Sequence, residues 1–407
     1  MDESLYFLAD TWWYAATSRM SLENVKKLAQ KRARQGFTGI QLVAAYPPEV
    51  AVTSPHARNS GGWPLTEAKK INQQYFTELD AKIRAITAFG LTPIIYGTWG
   101  NHLDVLGPAS VQVLWEELIK RYSSTNPIWC LCGEVDLPIA ANVLQSFPFN
   151  TRLGPVLRAC AQPFKFLLSQ QSLKQRLEDW SAIGDTVRSQ DRKHPILVHT
   201  HVAHTARELY PQATWLSANS FQSGHNRNRL AWLHQKAVAA HLQNDPALNL
   251  EPWYEGIGND FGPRLQRQAF WVSMLSGCIG YAYGAQGLWN MNQKGEMFLG
   301  HWGSNDWQTA ADAMGAAHIG NAAKWLRARK WYGRFTPKDT LGDLLTDILN
   351  QPITGIAPDG TEVTYCPNPE SRKMMRHHYT TIMDPENLLD RSSKTITTPD
   401  CIILTRP

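Results

Sequence analysis

Eight short apolar runs, each followed by a segment with helical periodicity, occupy the first 330 residues of this 407-residue chain. The first helical segment, 22–36, shows the pattern well, because Leu22, Val25 and Leu28 share one stripe and Gly36 gives a stop signal. Strands separated by helices pair in parallel through right-handed crossovers, and eight such units are typical of a closed barrel. The apolar runs lie at 5–10, 37–45, 91–100, 127–134, 194–202, 214–225, 247–256 and 278–289.

The sequence therefore predicts an α/β fold, a (β/α)8 TIM barrel over residues 1–330, with a long insertion between the fourth strand and its helix. An open doubly wound sheet would place a glycine-rich turn after the first strand, and "ADTWWYAA" (9–16) has no glycine. The pattern changes after residue 330. The stretch "ITGIAPDGTEVTYCP" (353–367) reads as strand, Asp-Gly turn and strand. Residues 331–407 are predicted to form a small C-terminal β-rich domain.

The composition excludes several functional classes. No apolar run approaches the ~20 residues that a membrane span needs, and no Lys/Arg block accompanies the net charge of +5, so neither a span nor nucleic-acid binding is expected. No P-loop, dinucleotide fingerprint or zinc ribbon is present, and no cofactor is predicted. The start lacks a basic n-region and a cleavage site, which predicts a cytoplasmic chain as it stands. The oligomeric state is not indicated.

Two glutamates follow predicted strands, Glu134 after the fourth and Glu251 in the seventh. A barrel carries its chemistry at the carboxyl ends of its strands, so both should lie at one rim. Glycoside cleavage needs such a pair, an acid for the departing oxygen and a second carboxylate for the cation-like centre. The sixteen tryptophans fit this chemistry, since flat apolar rings can stack on sugars, although tryptophan also serves as a large core residue.

The stretch "NLEPWYEG" (249–256) contains two acids, Glu251 and Glu255. Glu251 directly ends an apolar run and is favoured as the second carboxylate of the pair, whereas Glu255 lies further along the loop, where it could orient Tyr254 or bind a hydroxyl. His199 and His201 alternate, a spacing also found in barrel metallohydrolases. Those enzymes pair such histidines with an acid on the eighth strand, and "YAYGAQG" (281–287) offers none, so no metal site is predicted.

Several motifs together resemble the apiosidase-like glycoside hydrolases (glycoside hydrolase family 140), over about residues 5–330. The motifs are "FLADTWW" (7–13), "GFTGIQ" (36–41), "FQSGH" (221–225), "EPWYEG" (251–256) and "SGCIGYAYGAQGLW" (276–289). The resemblance implies a (β/α)8 barrel with a small β-domain, and a retaining enzyme that acts on plant or microbial polysaccharide side chains. Relatives usually show Gly-Gly-Asp where this chain has Cys132-Gly133-Glu134. If the chain is a mature form, the resemblance implies a periplasmic or secreted protein.

Carried over residue by residue, the resemblance makes Glu134 the acid/base and Glu251 the nucleophile, with Asp136 as a weaker candidate for the acid. The expected partner is an oligo- or polysaccharide whose terminal sugar, including a furanosidic one, is removed. A barrel that binds carbohydrate without cleaving it, and a metal-dependent hydrolase, remain as alternatives. The residues expected to bind substrate are Asp10, Trp12, Gln41, Trp99, His102, His199, Asn219, Gln222, His225, Tyr254, Glu255, Tyr283 and Trp289.

Overall fold

Eight parallel strands form one sheet in the computed structural model, which describes residues 3–137, 173–338, 348–375, 381–391 and 398–405. The insertion predicted after the fourth strand falls largely on 138–172, outside the described residues. The strands are β1 (Leu8–Thr11), β2 (Gly39–Val43), β3 (Thr92–Trp99), β4 (Ile128–Gly133), β5 (Ile196–Leu197), β6 (Asn219–Gln222), β7 (Ala247–Glu251) and β8 (Cys278–Tyr283).

The strands follow one another in the order β5-β4-β3-β2-β1-β8-β7-β6. The two outer strands meet through the backbone N–H of Ser217, which donates to Ile196 O at 2.9 Å, and through Ser220 Oγ, which donates to Val198 O at 2.6 Å. These bonds bring the sheet round on itself. The predicted (β/α)8 barrel is therefore confirmed, and the carboxyl ends of all eight strands meet at one rim.

Helices pack around the barrel, and the first shows how the sequence sets their bounds. The Ser21 side chain accepts from the N–H of Asn24 at the start, and Gly36 ends the helix at φ 101°, a left-handed conformation that glycine adopts readily. The helices are α1 (Leu22–Gln35), α2 (Gln73–Thr87), α3 (Leu103–Leu106), α4 (Pro108–Tyr122), α5 (173–190), α6 (Ala206–Leu209), α7 (Arg229–Leu242), α8 (Pro263–Leu275), α9 (Trp307–Ala311), α10 (Met314–Ala328) and α11 (Pro369–Met374). Short 3-10 turns lie at Glu3–Leu5, Pro55–Ala57, Gly100–His102, Ser123–Thr125 and Ile257–Asn259.

A separate antiparallel sheet follows the barrel, which confirms the small C-terminal β-structure. Its central hairpin turns where the sequence indicated, since the N–H of Ala357 donates to Thr361 O across Asp359 and Gly360. The boundary at residue 330 stays a prediction. The strands, in the order β13-β12-β14-β11-β10-β9, are β9 (Thr336–Pro337), β10 (Ile353–Ile356), β11 (Glu362–Cys366), β12 (Thr381–Met383), β13 (Asp390–Arg391) and β14 (Cys401–Thr405).

Helix α8 joins the small sheet to the barrel. Arg267 on this helix donates twice to the carboxylate of Asp400, at 2.8 and 2.7 Å, and Tyr365 donates to the same carboxylate at 2.9 Å. The side chains of Arg267 and Asp400 are both buried, and because an unpaired buried charge is costly, each is stabilised by the opposite charge of the other. Within the described ranges, no helix combines the length and the apolar character that a membrane crossing requires.

Candidate active site

A cavity of about 520 Å³ opens at the carboxyl ends of the barrel strands, and Glu134 and Glu251 are among the residues that line it. Glu134 directly follows β4 and Glu251 ends β7, so the parallel strands bring both to the same rim. The other residues predicted from the sequence that line this cavity are Trp99, Gln222, His225, Tyr254 and Trp289.

The backbone at Glu134 is unusual, with φ at 44°, in the left-handed region that few residues other than glycine adopt. Such conformations collect at functional sites, where the surrounding structure holds them. The preceding Gly133 is required by packing, because a Cβ there would lie 2.2 Å from the ring of Trp99. The indole N–H of Trp99 donates to Glu134 Oε2 at 3.1 Å, and Gln222 Nε2 donates to Oε1 at 2.6 Å.

Two histidines flank the carboxylate of Glu251. His199 Nε2 lies 3.4 Å from Glu251 Oε2, and His225 Nε2 lies 3.2 Å from Oε1. The Nδ1 atom of each ring faces a backbone N–H, that of Glu134 at 3.2 Å for His199 and that of Tyr254 at 3.4 Å for His225. Since Nδ1 accepts in both rings, the neutral tautomer carries its proton on Nε2, which faces the carboxylate.

This arrangement shifts the two pKa values in opposite directions. Burial raises the pKa of the Glu134 carboxyl, and the negative charge of Glu251 raises it further, although His201, His199 and Gln222 act against this. Burial alone would also raise the pKa of Glu251, but His199 and His225 more than offset that effect and hold it at about 2. Two carboxyl groups that line one cavity therefore have pKa values shifted in opposite directions, which is the pattern that glycosidases use for an acid and a nucleophile.

Aromatic side chains form the walls of the cavity. The indole of Trp13 donates to Tyr254 OH at 3.1 Å, and Trp13 also packs edge-on against Trp99 with ring centroids 5.4 Å apart. Trp289 and Trp302 also line the cavity. Flat rings beside charged and hydrogen-bonding groups suit a ligand with apolar faces and polar edges, which describes a sugar.

Asp10 and Trp12 do not reach the cavity. Asp10 is fully buried beneath α1, where its Oδ2 lies 2.6 Å from Nε of Arg32 and accepts from the Trp12 indole at 2.7 Å. Its Oδ1 accepts from the N–H of Thr11 at 2.9 Å. Burying one of these charges alone would be costly, so they form an ion pair instead. The substrate contacts expected of Asp10 and Trp12 have no basis in this geometry.

Gln41, His102 and Asn219 are likewise held within the protein. Gln41 Nε2 donates to Leu250 O at 2.9 Å, and its Oε1 accepts from Tyr96 at 3.0 Å, which links strands in the barrel interior. His102 Nε2 lies 3.0 Å from Val50 O and its Nδ1 lies 3.1 Å from Thr98 Oγ1. Asn219 Oδ1 accepts from the N–H of Arg207 at 3.0 Å.

Glu255 and Tyr283 have a structural role, because they hydrogen-bond to each other and Glu255 also bonds to α10. Tyr283 donates to Glu255 Oε2 at 2.6 Å, and the N–H of Gly315 donates to Oε1 at 3.0 Å. Gly315 lies in the first turn of α10, so the carboxylate satisfies a free N–H at the positive end of that helix. A Cβ at Gly315 would lie 2.4 Å from Glu255 Oε2, which shows how closely the two segments pack.

Asp136, the weaker candidate for the acid, supports the loop after β5. Its Oδ1 accepts from the N–H of His201 at 2.6 Å, and its Oδ2 lies 2.7 Å from His204 Nδ1. His201 lines the cavity, while His199 contacts Glu251. Among the residues that the structure describes, no three histidine, cysteine, aspartate or glutamate side chains converge in a way that could hold a metal ion.

Sequence reasoning missed several residues that line the cavity. Most belong to loops rather than to strand ends. Two of them carried a signal, the second tryptophan of "DTWW" as the neighbour of a predicted residue and His201 through its alternation with His199. The residues missed as substrate-binding candidates are Trp13, Pro48, Glu49, Leu137, His201, Val202, Gly224, Asn226, Arg229, Ile257 and Trp302.

Solved structures share this fold. A glycoside hydrolase family 5 protein from Bacteroides vulgatus ATCC 8482 superposes with a TM-score of 0.75 at 15% identity, covering 98% of this chain and 89% of that chain. A second structure, described as a glycoside hydrolase, gives 0.72 at 15% identity and covers 98% and 92%. An endo-1,4-beta-mannanase from Rhizomucor miehei gives 0.50 at 10% identity and covers 78% and 95%. Similarity at these identities shows the fold alone.

Among proteins with curated descriptions, no sequence matches the chain. The family model for the catalytic domain described as Apiosidase-like matches residues 1–333, which is most of the chain and includes Glu134 and Glu251. Membership of the numbered family 140 stays a prediction. The match, together with the barrel and its paired carboxylates, shows that the chain belongs to the Apiosidase-like family and is a glycoside hydrolase.

Proposed function

We propose that the protein is a retaining glycosidase that removes a terminal sugar, including a furanosidic one, from a plant or microbial polysaccharide. Glu134 is the acid/base and Glu251 is the nucleophile. One observation carries the proposal: the carboxyl groups that follow β4 and end β7 line a single cavity, with the pKa of one raised and the pKa of the other lowered.

In the first step, the ionised carboxylate of Glu251 attacks the anomeric carbon while the bond from that carbon to the glycosidic oxygen breaks. The proton of Glu134 passes to the departing oxygen, which leaves as an alcohol. In the second step, water attacks the anomeric carbon, Glu134 takes the proton of that water, and the bond to Glu251 breaks. Both carboxyl groups return to their starting protonation states.

The two histidines suit both steps. The Nε2 atoms of the two rings lie 3.4 and 3.2 Å from the carboxylate oxygens of Glu251 and favour its ionised form, which is the form that attacks. The same donors stabilise the carboxylate when it departs from the glycosyl-enzyme in the second step. Because both Nδ1 atoms accept from backbone N–H groups, neither ring needs a positive charge for this role.

The size of the cavity favours a short portion of a glycan. About 520 Å³ lies within the range of roughly 300–1,000 Å³ that is typical of small-ligand sites. Aromatic rings on several sides suit the faces of one or two sugar units. This agrees with removal of a terminal residue better than with binding along a long chain.

The test begins with a panel of 4-nitrophenyl pyranosides and furanosides and of pectic and bacterial oligosaccharides. Glu134→Gln and Glu251→Gln are compared with Glu116→Gln, an exposed glutamate on α4. Glu251→Gln should abolish turnover of every substrate. Glu134→Gln should slow oligosaccharide cleavage by about 10²–10⁴-fold. The first step with nitrophenyl substrates should be slowed less, because nitrophenolate leaves without a proton.

The stereochemistry gives an independent result. Proton NMR of the first sugar released should show the anomeric configuration of the substrate. An inverted product would overturn the retaining mechanism, and undiminished turnover by Glu251→Gln would overturn the assignment of the nucleophile. A wild-type protein that binds glycans and cleaves none would favour the carbohydrate-binding alternative.

A further inference from the structure

A third carboxylate lines the cavity, that of Glu49 in the loop after β2. Its Oε1 accepts from the indole N–H of Trp302 at 2.6 Å, and its Oε2 lies 3.0 Å from His301 Nε2. Trp302 belongs to the loop after β8 and lines the same cavity. One side chain therefore joins two loops that are separated in the barrel by β1.

Trp302 is also held from the other side. Its carbonyl oxygen accepts from the N–H of Gly258, in the loop after β7, at 2.9 Å. Its ring packs edge-on against His225, with centroids 5.9 Å apart and planes at 72°. His225 in turn faces Glu251 at 3.2 Å. The indole thus lies between the Glu49 carboxylate and the histidine beside the nucleophile.

The backbone of Glu49 indicates that this position is specified rather than incidental. Its φ is 60°, in the left-handed region, where a side chain such as glutamate is uncommon. The neighbouring Pro48 is fixed as well, because its carbonyl oxygen accepts from the hydroxyl of Tyr14. Unfavourable backbone conformations persist where surrounding contacts hold them, and such sites are often functional.

We propose that Glu49 is a positioning residue that fixes Trp302 as a sugar-stacking wall and closes the cavity between the loops after β2 and β8. The bridge between these loops makes the wall continuous from β2 through β8 to β7, so a glycan cannot continue past it. This inference rests on the proposed removal of a terminal sugar, and it assigns the residues that limit the site to a chain end.

The first experiment needs no substrate. The protein is labelled with 5-fluorotryptophan, and the ¹⁹F NMR signal of Trp302 is identified by its loss in Trp302→Phe. Glu49→Ala should shift and broaden that signal, and Glu49→Gln should largely restore it because the amide oxygen can still accept. Glu296→Gln is the matched control, since Glu296 also tethers the loop after β8, through Arg19, without contacting the Trp302 indole.

The second experiment uses whichever 4-nitrophenyl glycoside the protein cleaves. Glu49→Ala and Trp302→Phe should each raise KM by about 10-fold, the value expected for a lost hydrogen bond to a charged group, with little change in kcat. The KM of the double variant should be no higher than that of the more impaired single variant, because both substitutions remove the same hydrogen bond. Glu49→Gln should return KM towards the wild-type value.

Each outcome separates the inference from the proposed function. An unchanged Trp302 signal in Glu49→Ala would overturn the positioning role, whatever the activity. A shifted signal with unchanged KM would overturn the role in substrate binding. Additive effects in the double variant would mean that Glu49 contacts the sugar directly. Retained turnover by Glu251→Gln would overturn the proposed function and leave the NMR result standing.

Discussion

Removal of the Asp10 carboxylate should destabilise the protein without affecting sugar binding. Asp10 and Arg32 are each 0% exposed, with Oδ2 and Nε 2.6 Å apart. In Asp10→Ala the guanidinium of Arg32 stays buried, and its two remaining hydrogen-bond acceptors, Gln35 Oε1 and Ala311 O, are both neutral. A buried charge that loses its counterion typically costs about 3–5 kcal/mol of folding free energy.

The size of the chain converts this cost into a melting temperature. Unfolding entropy is roughly 2.1 cal/mol/K per residue, so over 407 residues a loss of about 3–5 kcal/mol lowers Tm by about 4–6 °C. Circular dichroism or differential scanning fluorimetry measures that shift. The double variant Asp10→Ala with Arg32→Met should recover most of it, because it removes both charges together.

The kinetic measurement decides between a structural and a substrate-binding role for Asp10. Assayed well below its Tm, Asp10→Ala should keep the wild-type KM, because the carboxylate lies outside the cavity. An unchanged Tm combined with a large rise in KM would refute the structural reasoning and restore Asp10 as a substrate ligand. A double variant less stable than the single variant would refute the ion-pair explanation.

Three further predictions concern the cavity. Trp99→Phe removes the N–H donated to the ionised form of Glu134, so the pKa of Glu134 should rise further and the basic limb of the kcat/KM profile should move to higher pH. His225→Phe removes the Nε2–H beside Glu251, so the pKa of Glu251 should rise and the acidic limb should also move to higher pH. Gly133→Ala places a Cβ where the Trp99 ring lies, and the displacement of that ring should lower kcat/KM by up to about 10²-fold, while an unchanged value would show that the ring is free to move.

The barrel could be predicted because its signals are local. The spacing of Leu22, Val25 and Leu28 and the stop at Gly36 are both properties of neighbouring residues, and α1 forms where they indicate. The position of Glu134 and Glu251 at one rim follows from parallel pairing alone. The strand ends could therefore be predicted from the sequence, and two acidic residues at strand ends sufficed to identify the cavity.

The direction in which a strand-end side chain points could not be predicted. Asp10 lies in β1, Gln41 lies in β2 and Glu255 follows β7, yet each is hydrogen-bonded inside the protein, whereas Glu251 lines the cavity. Asp10 is buried because Arg32, 22 residues later on α1, donates a hydrogen bond to its carboxylate. That partner depends on how α1 packs on the barrel, which periodicity does not specify. The place of Trp302 in the cavity depends similarly on a contact with Glu49, a residue 253 positions away in the sequence.

The left-handed backbone at Glu134 connects this residue to one of the two histidines beside Glu251. At φ 44° the chain turns so that the N–H of Glu134 meets His199 Nδ1 while its side chain enters the cavity. The occupied Nδ1 places the ring proton on Nε2, which faces Glu251 at 3.4 Å. The backbone conformation of Glu134 thus sets the tautomer of His199 and directs its Nε2 proton towards Glu251. A relaxed backbone at position 134 would withdraw that N–H, and the ring proton of His199 could then move to Nδ1, away from Glu251.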